Sequence, residues 1–176
     1  MSGIKPELLL PKTTIEKRVK ELAEQISRDY EGRELLLVGI LYGAFIFMAD
    51  LIRGMNIPCR VDFIRTASYG SNSQSSGEVR ITKDLETSIT GRNVLIVEDI
   101  IDTGFTVSHL LALLGERKPA SIRVCAFLDK RERRRVPINA EYVGFTIPDR
   151  FVVGYGLDYN ENFRFLPDVC MLKDIA

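Results

Sequence analysis

The spacing of hydrophobic residues changes period along the chain. From Thr13 to Ser27, Ile15, Val19, Leu22, Ala23 and Ile26 recur at short helical steps, which predicts an amphipathic helix. A Thr13/Glu16 pair gives it a capping-box signature. Glu34 to Leu41 (ELLLVGIL) is a continuous apolar run, the pattern of a strand covered on both faces. Phe45 to Arg53 reads as a helix. Val61 to Arg65 and Val79 to Thr82 read as short strands around a polar stretch. Asn93 to Val97 is the predicted central strand, Thr106 to Arg117 its helix and Ser121 to Leu128 the next strand. Glu141 to Ile147, Phe151 to Tyr155 and Val169 to Leu172 are further short strands. Strands alternate with helices over the first two thirds, so the fold class is α/β, a mainly parallel twisted sheet flanked by helices. No repeat or linker divides the chain, and its 176 residues predict one domain over 1–176.

Composition narrows the function. With 24 basic and 24 acidic residues the formal charge is zero, so bulk electrostatics offer no hold on nucleic acid. No apolar run approaches the ~20 residues of a membrane span. The opening MSGIKPELLLPKTT is too short and proline-interrupted for a signal peptide. Cys59, Cys125 and Cys170 are odd in number and far apart, which fits reduced thiols in a cytoplasmic protein. His109 is the sole histidine and falls on a helix, so acid–base work passes to carboxylates and lysines.

The candidate chemistry concentrates in Asn93 to Ser108, NVLIVEDIIDTGFTVS. An apolar strand runs into Glu98-Asp99, then Asp102, then Thr103-Gly104-Phe105-Thr106 and a helix. In an open α/β sheet, ligands bind at the carboxyl ends of strands. Free amides at the helix start attract phosphate, Thr103 and Thr106 add hydroxyls, and Gly104 lets backbone come close. Glu98 and Asp99 would repel phosphate and suit sugar hydroxyls or a shared Mg²⁺. A sugar phosphate answers all of these, whereas the plain alternative is an acidic turn with Asp102 or Thr103 as N-cap. Leu41-Tyr42-Gly43-Ala44 forms a second strand–turn–helix junction, by itself no more than a tight turn. Ser68 to Gly77 (SYGSNSQSSG) is either an idle flexible loop or a lid that excludes water. Asp129 to Arg135 (DKRERRR) reads as a solvated charged face, from which Lys130 stands apart at a strand's carboxyl end.

Val94 to Thr106 resembles the phosphoribosyl-pyrophosphate loop of the type I phosphoribosyltransferases: apolar strand, two acids, two apolar residues, then D-[TS]-G-x-T. Ile147 to Tyr159 (IPDRFVVGYGLDY) resembles a stretch that distinguishes the hypoxanthine (hypoxanthine-guanine) branch. The resemblance covers about Leu35 to Met171. It implies a small hood from the terminal segments, about 147–176 carrying the purine site, and a flexible lid loop at about 66–79. The implied reaction moves phosphoribosyl from phosphoribosyl pyrophosphate to N9 of a 6-oxopurine, giving IMP or GMP and pyrophosphate.

The same resemblance assigns roles. Glu98 and Asp99 hold the ribose hydroxyls. The amides of Asp102 to Thr106, with Gly104 and Phe105 among them, hold the 5′-phosphate. Asp102 is also the acid or base near purine N7. Leu41, Tyr42 and Gly43 form the pyrophosphate loop with Arg164, and the Leu41–Tyr42 bond is expected to be cis. Tyr42 stands where relatives often carry a basic residue, and Phe105 where some carry a polar or basic one. Phe151, otherwise a core strand residue, stacks on the base. Lys130 donates to O6, and Val152 and Asp158 read the opposite edge. Ser68 and Tyr69 belong to the lid. Asp158, with Glu98 and Asp99, takes Mg²⁺. The resemblance also implies a homodimer or homotetramer, while the neutral charge, the lack of a long apolar run and the scattered thiols argue for a cytoplasmic protein with no nucleic acid or membrane partner. Two other functions share parts of these features. A regulator on the same fold would need a basic face, for which Lys130 to Arg135 is the only support. A Mg²⁺-dependent phosphatase would use Asp99 and Asp102 but leaves the Phe151 segment without a purpose.

Overall fold

Strand β2 (Leu35–Leu41) lies inside a six-stranded sheet, and its apolar run is buried on both faces. Leu35 and Leu37 pack toward helices α1 (Lys12–Asp29) and α2 (Phe45–Gly54), whereas Leu36, Val38 and Ile40 pack toward α3 (Phe105–Gly115). Strands β5 (Asn93–Ile101) and β6 (Ser121–Asp129) divide in the same way. Leu95, Val97, Cys125 and Phe127 join the first cluster, and Val94, Ile96, Val124 and Ala126 the second. A two-residue side-chain period on a sheet with helices on both faces requires this division. The computed structural model describes residues 5–68 and 79–173.

The sheet order is β4 (Val79–Lys83), β3 (Cys59–Ser68), β2, β5, β6, β7 (Tyr142–Thr146). Every neighbouring pair is parallel except the β3–β4 edge. From β2 the chain leads to β3 on one side, while β5 pairs on the other, so loops at the carboxyl ends of β2 and β5 diverge and open a crevice. Above it sits an antiparallel hood of β1 (Pro6–Leu10), β9 (Val169–Leu172) and β8 (Val152–Val153).

The α/β class and mainly parallel sheet are as the pattern predicted, with several local differences. Helix α1 starts one residue before Thr13, behind Pro11 and without a side-chain cap, so the Thr13/Glu16 box does not form. Proline's fixed φ suits a helix entrance, and Glu16 pairs with Lys12 instead. β5 runs on through the acids because Glu98 to Ile101 keep register with β6. β8 is only two residues long, and β1 forms where no strand was predicted. The lid residue Tyr69 and most of the predicted loop lie outside the described residues. The three cysteines are unpaired thiols. Among the described residues no helix is long and apolar enough to cross a membrane.

Candidate active site

At the carboxyl end of β5, Glu98 is buried and Asp99 lies partly buried beside it. Burial, then the neighbouring Asp99 charge, pushes the Glu98 carboxyl well above the usual range. Burial also raises Asp99, opposed by its interaction with Glu98 and by the Ile100 amide, which donates to Oδ1 at 2.8 Å. The pair therefore favours partial neutralisation, by a shared proton or by a cation.

The next turn presents the start of α3. Gly104 is the N-cap with φ 91°, a left-handed conformation that glycine adopts freely, and no side chain caps the helix. Neither Asp102 nor Thr103 fills that role, so the first amides of α3 stay available to an anion. The loop is braced from behind. The Thr103 carbonyl accepts from the amides of Arg135 (2.9 Å) and Val136 (3.3 Å). A Cβ on Gly104 would stand 3.0 Å from Arg134, Val136 and Ile138.

The turn after β2 faces these acids. The Leu41–Tyr42 peptide is cis, as expected. Gly43 packs so tightly on Asp99 that a Cβ there would lie 1.5 Å from Oδ2. Gly156 approaches from the hood side; a Cβ on it would lie 2.4 Å from the Gly43 carbonyl oxygen. Arg164 donates to the Gly156 carbonyl (2.6 Å) and pairs with Asp158 (2.7 Å), whose other oxygen accepts from the Glu161 amide at 2.8 Å. Tyr155 OH donates to Asp50 at 2.7 Å and ties this segment to α2. Together with Glu98, Asp99, Asp102, Thr103, Gly104 and Thr106, the turn residues Leu41, Tyr42 and Gly43 and the hood residues Asp158 and Arg164 line one cleft of about 280 Å³. Tyr42 brings no charge, but the Arg65 guanidinium lies 4.3 Å from its ring centroid.

Lys130, Phe151 and Val152 do not line that cleft; they stand beside it. Lys130 follows β6, is 5% exposed, and its amide donates to the Ile101 carbonyl at 2.9 Å. Burial lowers its pKa, an effect opposed by the Asp102 charge. Phe151 is half exposed, meets Tyr159 edge-on at 5.4 Å and borders a separate depression of about 530 Å³. Val152 is buried and pairs with Met171. Phe105 opens α3, and Ser68 ends β3. His109 lies within α3 and does not line the cleft. Among the described residues no three His, Cys, Asp or Glu side chains form a metal cage.

The basic run departs from the reading as a solvated face. Arg131 and Arg134 both pair with buried Asp129, and Arg133 lies between Asp102 (3.2 Å) and Asp149 (3.6 Å). The run is thus largely spent on carboxylates within the chain, which removes the main support for a nucleic-acid surface. Adjacent arginines look alike in the sequence, and only the short 3₁₀ turn Arg131–Arg133 decides which one reaches the cleft.

The chain matches the model of the phosphoribosyl transferase domain over residues 8–160. It is 48% identical over 173 residues to the hypoxanthine-guanine phosphoribosyltransferase of Aquifex aeolicus, covering 98% of this chain and 97% of that protein. It is 49% identical over 165 residues to the hypoxanthine phosphoribosyltransferase of Salmonella typhimurium, with 93% of each covered. The crystal structure of a hypoxanthine phosphoribosyltransferase from Staphylococcus aureus matches with a TM-score of 0.92 at 47% identity, covering 95% of this chain and 91% of that one.

Proposed function

The chain belongs to the phosphoribosyltransferase family, in its hypoxanthine branch, and from that premise we infer that it is a purine-salvage enzyme. It transfers the 5-phosphoribosyl group of phosphoribosyl pyrophosphate to N9 of hypoxanthine, giving IMP and pyrophosphate; guanine, giving GMP, is the second base. The observation that carries this reading is the convergence in one cleft of the β5 acids, the uncapped start of α3 and the Gly43 turn with Arg164.

In this reading the amides and hydroxyls of Thr103 to Thr106 grip the 5′-phosphate, and Glu98 and Asp99 accept from the ribose hydroxyls. The Gly43 turn and Arg164 face the pyrophosphate. N9 forms a bond to C1′ as the C1′–oxygen bond breaks, its electron pair leaving with pyrophosphate. Asp102 faces N7 and takes up the ring proton. Phe151 covers one face of the base, and backbone groups of Val152 and Asp158 meet its far edge. Lys130 donates to O6; an ammonium has only donors, so an adenine amino group finds no acceptor there. Ser68 and Tyr69 belong to a loop that keeps water from the cationic sugar.

The donor set also suits Mg²⁺. Glu98 and Asp99 are adjacent carboxylates whose burial favours neutralisation, and Asp158 offers a third hard oxygen across the cleft. Mg²⁺ is held by one or two carboxylates with water and phosphate oxygens completing its shell, so a protein cage is unnecessary. Bound with phosphoribosyl pyrophosphate, it would offset the charge of the departing pyrophosphate. The enzyme is assigned to the cytoplasm as a homodimer or homotetramer. Initial rates with phosphoribosyl pyrophosphate, Mg²⁺ and each of hypoxanthine, guanine, xanthine and adenine test the reaction. Hypoxanthine should release pyrophosphate and yield IMP, and adenine should not react. No nucleotide from any 6-oxopurine would exclude the assignment.

A further inference from the structure

Of the arginines after β6, one is turned toward the cleft. Arg133 Nε lies 3.2 Å from Asp102 Oδ1, and its Nη1 lies 3.6 Å from Asp149 Oδ1. Asp102 Oδ1 is itself buried and accepts no hydrogen bond, so the guanidinium meets it as an ion pair without hydrogen-bond alignment. Yet the Asp102 side chain as a whole is 36% exposed. Its accessible part is therefore elsewhere, on the side of Oδ2. A cation fixed against one carboxylate oxygen sets the plane of the group and leaves the other oxygen to the cleft. Asp149 precedes Phe151 by two positions, so the same guanidinium joins the phosphate loop to the purine segment. Lys130 feels all three groups: Asp102 and Asp149 favour its charged form and Arg133 opposes it.

We propose that Arg133 is a positioning residue for the purine half-reaction. It holds the Asp102 carboxylate with Oδ2 toward the ring and anchors the Asp149 loop, so that Phe151, Lys130 and Asp102 meet one base. It acts through these carboxylates and does not touch reacting atoms. The proposal rests on the reading of Asp102 as the group facing N7. The grip on phosphoribosyl pyrophosphate, through the β5 acids, the α3 amides and Arg164, uses none of these contacts.

The test compares Arg133→Gln, Arg133→Lys, Asp149→Asn and the Arg133→Gln/Asp149→Asn pair, with Asp102→Asn as control. In Arg133→Gln, kcat/KM for hypoxanthine should fall roughly tenfold to a hundredfold, the scale of a misplaced catalytic group. KM for phosphoribosyl pyrophosphate and the unfolding temperature should stay at parent values. Arg133→Lys should recover part of the loss, because an ammonium keeps the charge but cannot span two carboxylates as a fork. Asp149→Asn should lose less and add nothing to Arg133→Gln, as expected when both changes break one linkage. A near-parent kcat/KM for hypoxanthine in Arg133→Gln, beside a crippled Asp102→Asn, would overturn the proposal and leave the role of Asp102 intact. A raised KM for phosphoribosyl pyrophosphate together with a lowered unfolding temperature in Arg133→Gln would also overturn it, because they would mark general loosening of the loop. Normal turnover in Asp102→Asn would remove the underlying reading and the proposal with it.

Discussion

Gly43→Ala offers a direct test of how the cleft is built. The added methyl would begin 1.5 Å from Asp99 Oδ2 and 2.4 Å from its Cγ. Ordinary contact requires a separation larger by roughly 2 Å. Asp99 cannot easily turn aside, since its Oδ1 holds the Ile100 amide at 2.8 Å and Glu98 occupies its other flank. The 41–44 turn is confined too, by Gly156 against the Gly43 carbonyl. Overpacking of this kind costs about 1–3 kcal/mol. For a chain of this size each kcal/mol lowers the midpoint by roughly 2–4 °C, so thermal unfolding should drop by about 2–12 °C. The function should suffer more than the fold, because displacement of about 1 Å in a positioned group can cost on the order of 10²-fold in rate. The assay is a melt beside initial rates with varied phosphoribosyl pyrophosphate, repeated in an Asp99→Ala background. Removing the carboxylate relieves the clash, so Gly43→Ala should destabilise that background much less. An unchanged KM for phosphoribosyl pyrophosphate, or an equal loss of stability in both backgrounds, would refute the reasoning.

Other expectations follow from the same geometry. Asp102→Asn should lower turnover by about 10²–10⁴-fold, the range for loss of a general acid or base; single-turnover rates at saturating substrate decide it. Lys130→Ala should relax discrimination against adenine, read as the ratio of kcat/KM for hypoxanthine to that for adenine, and an unchanged ratio would remove Lys130 from base selection. Glu98 gives a pH signature. Its folded carboxyl titrates above its ordinary value of 4.5, so the folded state binds more protons across that window. Stability should therefore fall as pH rises from about that value through the folded titration. In Glu98→Gln this slope should shrink in denaturant melts taken across the window, leaving the smaller part from Asp99, which burial also raises, and an undiminished slope would assign it to another group.

Much of this arrangement was legible in residue order. The ELLLVGIL run already suited a strand covered on both faces, since a one-sided strand alternates apolar with polar positions. The NVLIVEDIIDTGFT stretch placed carboxylates and a helix start at one strand end. Other features arise only in three dimensions. β5 continues past Val97 because β6 supplies a hydrogen-bonding partner for acidic residues that local propensity would not place in a strand. The contact of Gly43 with Asp99 joins loops from two strands that neighbour each other in space, and a glycine in a turn has many commoner explanations. Pro11 in place of the Thr13/Glu16 box shows two adequate helix starts competing within two residues, with the chain entering from β1 deciding between them. The choice of Arg133 over its neighbours depends on the phase of a single short turn.

The hood has a consequence for how the protein comes into being. Among the described residues its middle strand, β9, is the last, and it joins β1, the first, to β8. Leu8 pairs with Cys170, 162 residues away, whereas strands β2, β5 and β6 are complete by Asp129. A chain emerging during synthesis therefore completes strands β2, β5 and β6, with the acids and the start of α3, before the hood strands β8 and β9 exist. The segments read as holding the sugar phosphate thus precede those read as choosing the base, and closure of the hood waits on the four residues of β9.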